Sequence, residues 1–271
     1  MLRSMYSGIS GMKNFQTKLD VIGNNIANVN TYGFKKGRTV FKDMVSQTMQ
    51  GASGPSSATG KGGINPKQVG LGAQMSAIDT IDTQGSMQTT GRTLDLAISG
   101  DGYFTVQTKG TSPDEYYTRA GNFYLDNAGN NVANIVNSDG LYLKGATGAI
   151  SIPTDAKDIT VGKDGTISYT SSNGTLTTAG QIQMAKFPNP GGLSKAGNNL
   201  FKDTNNSGAP VSGASGTNGL GSVESGMLEM SNVDLSEEFT DMIVAQRGFQ
   251  ANTRIITTSD QILEELVNLK R

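Results

Sequence analysis

The sequence predicts an α+β protein: N- and C-terminal helices paired in a coiled coil, with an all-β central domain of short antiparallel strands between them. Three observations predict it. Apolar residues recur every seven positions at both chain ends. Short β-branched and aromatic runs in the middle alternate with turn residues. Glycine is in excess, 36 in 271 residues, where average usage gives roughly 19.

At the N-terminus, Met5, Met12, Leu19 and Ile26 repeat every seven residues, with Phe15, Ile22 and Val29 three after the last three of them. This a/d seam is narrow and suits one partner helix. Gly8, Gly11 and Gly23 interrupt it, each costing about 1 kcal/mol against alanine. The helix then runs into "GNNIANVNTYG", where Asn24, Asn25, Asn28 and Asn30 are expected to end it and to bond the turn backbone. With its turn, this region is assigned to residues 1–34.

Residues 35–90 read as an extended linking region, with a flexible loop at 46–70 because "SQTMQGASGPSSATGKGGINPKQVG" offers little to bury. "GPSSATGKG" evokes a phosphate loop. Its spacing is one residue too long and a glycine replaces the Ser/Thr, so it reads as a plain loop.

Residues 91–231 form the predicted β-rich outer domain. "GYFTVQT", "YYTRAGNFYLD", "GLYLKG" and "DITVGKDGTISYT" are strand-length runs, and Asp101-Gly102, Asp139-Gly140 and Asp164-Gly165 mark hairpin turns between them.

Residues 232–271 are more strongly helical. Leu235, Met242, Phe249, Ile256 and Leu263 repeat every seven residues, and Phe239, Ile243, Ile255, Ile262 and Leu266 widen the stripe. Asp234 with Glu237 three residues on reads as a capping box, and Lys270 and Arg271 suit the far end of the dipole. The simplest partner for the first helix is therefore the last, and other copies of the molecule would shelter what the pair leaves uncovered.

Charge is balanced, with 22 Lys+Arg against 23 Asp+Glu, which removes a strong electrostatic case for nucleic acid. No apolar run is long enough for membrane insertion, and the opening residues lack the pattern of a cleaved signal peptide. Cysteine, histidine and tryptophan are absent, so thiolate chemistry and the commonest general base and metal ligand are excluded. A non-enzymatic protein with no cofactor is expected. Asp79 with Asp82, and Glu264 with Glu265, are the nearest approach to paired carboxylates; a polar strand and a solvated helix face explain them more simply.

Four blocks carry a resemblance: "LDVIGNNIANVNTYGFKK", "TGRTLDLAISGDGYFTV", "YTRAGNFYLD" and "GMLEMSNVDLSEEFTDMIVAQRGFQANTRIITTSDQILEELVNL". In this order and at both termini, they resemble the axial proteins of the bacterial flagellum, the rod and hook subunits. "SNVDLSEEF", "MIVAQRGFQ" and "DQILEELVNL" look most like a short hook protein, and a distal rod protein is the alternative. The resemblance implies a subunit exported unfolded through the flagellar type III apparatus. It implies polymerisation beneath a cap into a helical tube, between rod and hook–filament junction proteins. A hook subunit would make a flexible joint, and a distal rod subunit a rigid shaft. In either role the protein would reside in the extracytoplasmic flagellum.

The resemblance assigns the seam residues Met5, Met12, Leu19, Ile22, Ile26, Leu235, Phe239, Met242, Phe249, Ile256 and Leu263 to the assembly interface. Phe41 and Val45, in "FKDMV", match its export-gate pattern. Arg92, Arg119 and Arg247 are candidates for ion pairs between subunits, and Gln246 and Asn252 for setting helix register. The alternative of a different class is a secreted adhesive or carbohydrate-binding β-domain with oligomerising helices. It would need an exposed platform built from Tyr103, Tyr116, Tyr117, Phe123, Tyr124 and Tyr142.

Overall fold

The computed structural model describes residues 2–54, 62–110, 114–127, 129 and 131–269. Most of the phosphate-loop-like stretch, and Lys270 and Arg271, lie outside the described residues. The chain divides into two compact units. One is Met1–Ile26, Gly37–Asp79 and Asp234–Arg271; the other is Ala27–Lys36 and Thr80–Val233.

The first unit holds α1 (Leu2–Ala27) as far as Ile26, and all of α2 (Leu235–Asn268). Asp234 caps α2: its backbone is extended and its carboxylate accepts the Ser236 N–H at 2.8 Å. Glu237 and Glu238 follow in the first turn, where the dipole favours acids. At about 1.5 Å per residue the helix is about 50 Å long. α1 stops at Ala27 because Asn28 begins a turn, its carbonyl accepting the Thr31 N–H and its side chain the Thr31 hydroxyl, both at 3.1 Å.

The helices pair antiparallel. A Cβ added to Gly8 would touch Ile256, one on Gly11 would touch Asn252, and one on Gly248 would meet the Phe15 ring. Further along, Lys18 and Asp241 form an ion pair at 3.1 Å.

Between the helices in sequence lie β1 (Gly37–Asp43), β2 (Ser46–Gln50), β3 (Lys67–Gly70) and β4 (Ala73–Thr80). β1 pairs with β4, and β2 pairs antiparallel with β3 from Ser46↔Gly70 outward, with a further bridge at Ser53↔Ile64. The stretch read as a flexible loop thus leaves and returns as a paired ribbon. Nearly all its side chains are exposed, so backbone hydrogen bonds rather than burial hold it, and composition carries no trace of them.

The second unit is antiparallel β. It continues the strand series with β5 (Met87–Thr89), β6 (Leu96–Ser99), β7 (Tyr103–Gln107) and β8 (Glu115–Thr118). Its main sheet runs in the order Ser151–Pro153, Val132–Val136, Tyr142–Gly145, β7, β8, Leu200–Lys202, Ser194–Gly197. A three-stranded meander (Ile159–Val161, Thr166–Thr170, Leu176–Gln181) adds a second sheet. Phe104 and Phe123, rings perpendicular at 5.4 Å, centre a core with Ile98, Ile135, Leu143, Ile167, Ile182 and Met184. Two of the three expected hairpin turns are present: Asp139-Gly140 joins the paired strands Val132–Val136 and Tyr142–Gly145, and Asp164-Gly165 joins Ile159–Val161 and Thr166–Thr170. Asp101-Gly102 also has its glycine at positive φ, but it links β6 to β7, which lie in different sheets, so it is a connection and not a hairpin.

This unit also takes in residues 80–90 and the segment Ala27–Lys36, which the sequence reading placed in the linker and the helical region. The reason is a set of buried polar contacts described next.

Candidate functional site

Two features stand out: the apolar faces of the helical unit, and a buried ion cluster in the β unit.

On α1, Ile22 is buried, while Met5, Met12, Leu19 and Ile26 are half-buried. On α2, Met242, Phe249, Ile256 and Leu263 are half-buried, and Leu235 and Phe239 are exposed. The residues that meet between the helices include several that apolar periodicity passes over. Gly8, Gly11, Phe15 and Lys18 on α1 face Ile256, Asn252, Gly248 and Asp241 on α2. Two of the glycines that read as interruptions in α1 are points of close approach, as in any helix pair whose backbones come near. The third, Gly23, has open space around it.

Polar register contacts accompany them. Asn25, buried, accepts the Gly37 N–H at 3.0 Å and donates to the Gly37 carbonyl at 2.9 Å and to Glu238 at 3.2 Å. It ties the start of β1 to both helices, which is more than the turn-bonding role expected of it. Asn252 lies between the helices and donates to the Gly248 carbonyl at 3.1 Å, whereas Gln246 is exposed.

Away from that contact, both helices leave apolar side chains in solvent. On α2 these include Ile243, Val244, Ile255, Ile262, Leu266 and Val267, with Leu269 just past its end; on α1, Tyr6 and Ile9. Phe41 is exposed at its rim, with its ring 6.4 Å from that of Phe15, and Val45 is exposed in the turn after β1. In the folded chain the two are a packing residue and a turn residue. An export role belongs to the unfolded chain.

The ion cluster centres on Glu229, whose side chain is 0% exposed, with Lys35 at 1% and Arg119 at 2%. Lys35 Nζ donates to Glu229 Oε1 at 2.7 Å and to the Thr83 carbonyl at 2.8 Å, with Asp82 at 3.9 Å. Arg119 donates to Glu229 Oε2 at 3.2 Å and to the Gly100 carbonyl at 2.9 Å. The Gly85 N–H completes Glu229 Oε1 at 3.0 Å. Two cations and two carboxylates therefore cancel.

Burial lowers the Lys35 pKa despite the opposing pull of Glu229, and Arg119 lowers it further. Burial raises the Tyr103 phenol, reinforced by Asp82. With its amine bonded on two sides and buried, Lys35 is a structural cation rather than a nucleophile.

Next to the cluster, Gly33 sits at φ 67°, its N–H bonded to the Glu229 carbonyl, where a Cβ would come 2.6 Å from the Arg119–Ala120 backbone. Asn232 accepts the Lys36 N–H and donates to the Ile81 carbonyl, both at 2.8 Å. These contacts gather the segments through which the chain leaves this unit at residues 36, 80 and 233. Sequence reasoning missed the cluster. Its only signal was Arg119, assigned to contacts between subunits; the structure instead buries it on Glu229 of the same chain. Within the chain, Arg92 pairs with Asp95 at 3.1 Å and the exposed Arg247 bonds Gln250 at 3.3 Å.

The aromatic group does not form a platform. Tyr103, Tyr117 and Phe123 are buried, and Tyr103 and Tyr117 pack edge-on against Phe187. Tyr124, Tyr142 and Tyr116 each lie against a cation, Arg92, Lys109 and Lys202.

Comparison with known proteins adds to this geometry. Residues 5–35 match the family of flagella basal body rod proteins. Residues 97–169 match the D1 domain of flagellar hook protein FlgE/F/G, and residues 224–269 the C-terminal region of flagellar basal body rod FlgEFG proteins. The chain is 58% identical to the flagellar basal-body rod protein FlgG of Bacillus subtilis over 274 positions, covering all of both chains. It is 40% identical to the FlgG of Agrobacterium fabrum, covering 96% of this chain and 97% of that one. Against the flagellar hook protein FlgE of Borreliella burgdorferi the identity is 32% over 446 positions, again covering both chains in full.

Proposed function

From the premise that this chain belongs to the rod and hook family of flagellar axial proteins, we propose that it is a structural subunit of the distal rod, a rigid shaft that transmits torque. The observation that carries this is the 58% identity to a rod protein along the whole chain with almost no gaps. Alignment with the hook protein needs 446 positions for a chain of 271. This favours the rod over the hook reading drawn from the C-terminal block.

In this reading the terminal helices form the polymerising inner layer as a coiled coil. Their exposed apolar residues, with Met5, Met12, Leu19, Ile26, Leu235 and Phe239, are covered by neighbouring subunits. The contact is between unlike surfaces, so it propagates into a helical tube instead of closing on itself. Export precedes folding, with Phe41 and Val45 read by the type III gate. The subunit catalyses nothing, and its partners are further copies and the adjoining axial proteins. A hook subunit is the second reading, supported by the full-length likeness to hook protein.

Immunogold microscopy of isolated hook–basal bodies tests this, with an epitope tag inserted between Gly54 and Gly62 in a strain that still swims. Label on the straight segment within the envelope is expected. Label along the curved external segment would replace the rod reading with the hook one.

A further inference from the structure

The ion cluster treats its two carboxylates unequally. Glu229 is fully bonded: Oε1 accepts Lys35 Nζ and the Gly85 N–H, and Oε2 accepts Arg119. Asp82 is not. Among the described residues its Oδ1 is buried without a hydrogen-bond partner, 3.9 Å from Lys35 Nζ, which is too far for a hydrogen bond. Water has little access, since the Lys35 side chain is 1% exposed and that of Asp82 17%. The Tyr103 phenol, itself buried, interacts with Asp82.

Two charges held at that separation bear the cost of desolvation without a close contact in return. An amide between them carries no charge, and it leaves Glu229 paired with Arg119.

We propose that Lys35 and Asp82 join in an intramolecular isopeptide bond, with Glu229 as the proton acceptor. As the ammonium of the newly folded chain, Lys35 is no nucleophile. It becomes one by giving a proton to Glu229 along the 2.7 Å hydrogen bond. Burial already lowers the Lys35 pKa against the pull of Glu229, and the Arg119 charge lowers it further. The freed electron pair attacks Cγ of Asp82, after a shift of about 1 Å that brings the atoms to near-attack distance. The C–N bond forms and one C–O bond of Asp82 breaks. The leaving oxygen departs as water with two protons, one held by Glu229 and one from the nitrogen. Ammonium and carboxylate become amide and water, so atoms and charge balance, no oxidant is consumed, and Glu229 returns to a carboxylate.

Glu229 lies closer to the amine but is not the acyl donor. Arg119 and the Gly85 N–H hold it as a carboxylate, and that charge repels an attacking electron pair. The chain leaves this unit after Lys36 and returns at Thr80. A bond from Lys35 to Asp82 therefore closes that excursion covalently, and force applied along it loads the amide instead of the ion cluster.

Mass spectrometry of the full chain tests this. The purified, natively folded chain is expected to lose about 18 Da on standing, the mass of one water. Trypsin should then fail to cut after Lys35, and residues 19–36 should be recovered joined to residues 68–92. Lys35→Arg is expected to abolish both signals. Asp82→Asn offers the amine a carboxamide in the same place, and is expected to give the same branched peptide with loss of about 17 Da, ammonia in place of water. Glu229→Gln is expected to slow the reaction about a hundredfold.

Unchanged mass and separate linear peptides, in the purified chain and in chain recovered from hook–basal bodies alike, would overturn the proposal. A water loss that persists in Lys35→Arg would overturn it too, because it would mark ring closure at an aspartate instead. A branch at Glu229 would overturn the choice of acyl donor, and an unchanged rate in Glu229→Gln the proton transfer. The native chain decides even where a variant fails to fold, since the branched peptide itself identifies both residues.

Discussion

Glu229→Gln is the most informative single perturbation of the β unit. The carboxylate holds Lys35 at 2.7 Å and Arg119 at 3.2 Å on separate oxygens. An amide of the same shape can turn its one oxygen to only one of them. Its NH2 must then face a cation that can only donate. Both cations stay buried, with Asp82 at 3.9 Å from Lys35 as the remaining carboxylate. Breaking a buried pair from one side costs about 3–5 kcal/mol, and the substitution is expected in that range.

Lys35→Met is expected to cost less, about 2 kcal/mol, because Glu229 keeps Arg119 and the Gly85 N–H. In the double variant one of the two stranded cations is gone, so its cost should fall short of the sum by about 1–2 kcal/mol. Urea unfolding followed by tyrosine near-ultraviolet circular dichroism reads the right unit. Seven of the eight tyrosines lie in it, all but Tyr6. A loss under about 1 kcal/mol for Glu229→Gln would refute the argument that this cluster ties the unit together.

Gly248→Ala sets two effects against each other. Helix propensity improves by about 1 kcal/mol, but the new methyl would lie 2.5 Å from the Phe15 ring, and overpacking costs about 1–3 kcal/mol. Net loss of thermal stability of the helical unit is expected, and a gain would show that the helices can move apart freely. Asp234→Ala removes the α2 cap and should cost about 1 kcal/mol, seen as faster amide exchange at Ser236 and its neighbours. Unchanged exchange would deny the cap a role.

Stability should also fall in alkali. Burial raises the phenols of Tyr103 and Tyr117, the latter to about 12, from an ordinary value of 10.0. The folded state therefore holds their protons longer than the unfolded state does. Their contribution is complete below pH 10 and is lost as pH rises through 12. Lys35, with its lowered pKa, acts in the opposite sense only below 10.5. Denaturation midpoints at successive pH values check this, and a midpoint unchanged from pH 9 to 11.5 would contradict it.

Much of this molecule was legible in its residues. Heptad spacing located both helices, and Asp234 marked the start of α2 to the residue, because periodicity and capping are local effects written in adjacent side chains. Asp139-Gly140 and Asp164-Gly165 placed two hairpin turns for the same reason, whereas Asp101-Gly102 marked a turn between strands of different sheets. The partner-facing residues of the helices were legible only in part: Phe15 and Ile256 lie in the seams and Asn252 was a register candidate, but the glycines they meet were not. Gly8, Gly11 and Gly248 count as helix breakers by propensity, and only the approach of a second helix turns them into contact points.

The linker misled for a related cause: the pairing of β2 with β3 is a match between backbones, to which exposed Gln, Thr and Ser side chains give no clue. Tertiary structure alone joined Lys35, Arg119 and Glu229. These positions are up to 194 residues apart, and a charge on a sequence is by default a charge in water. Which charges are taken out of water, and paired, depends on how distant segments meet. Local chemistry therefore determined the elements of this protein, and the long-range closure of its chain decided which polar groups hold them in place.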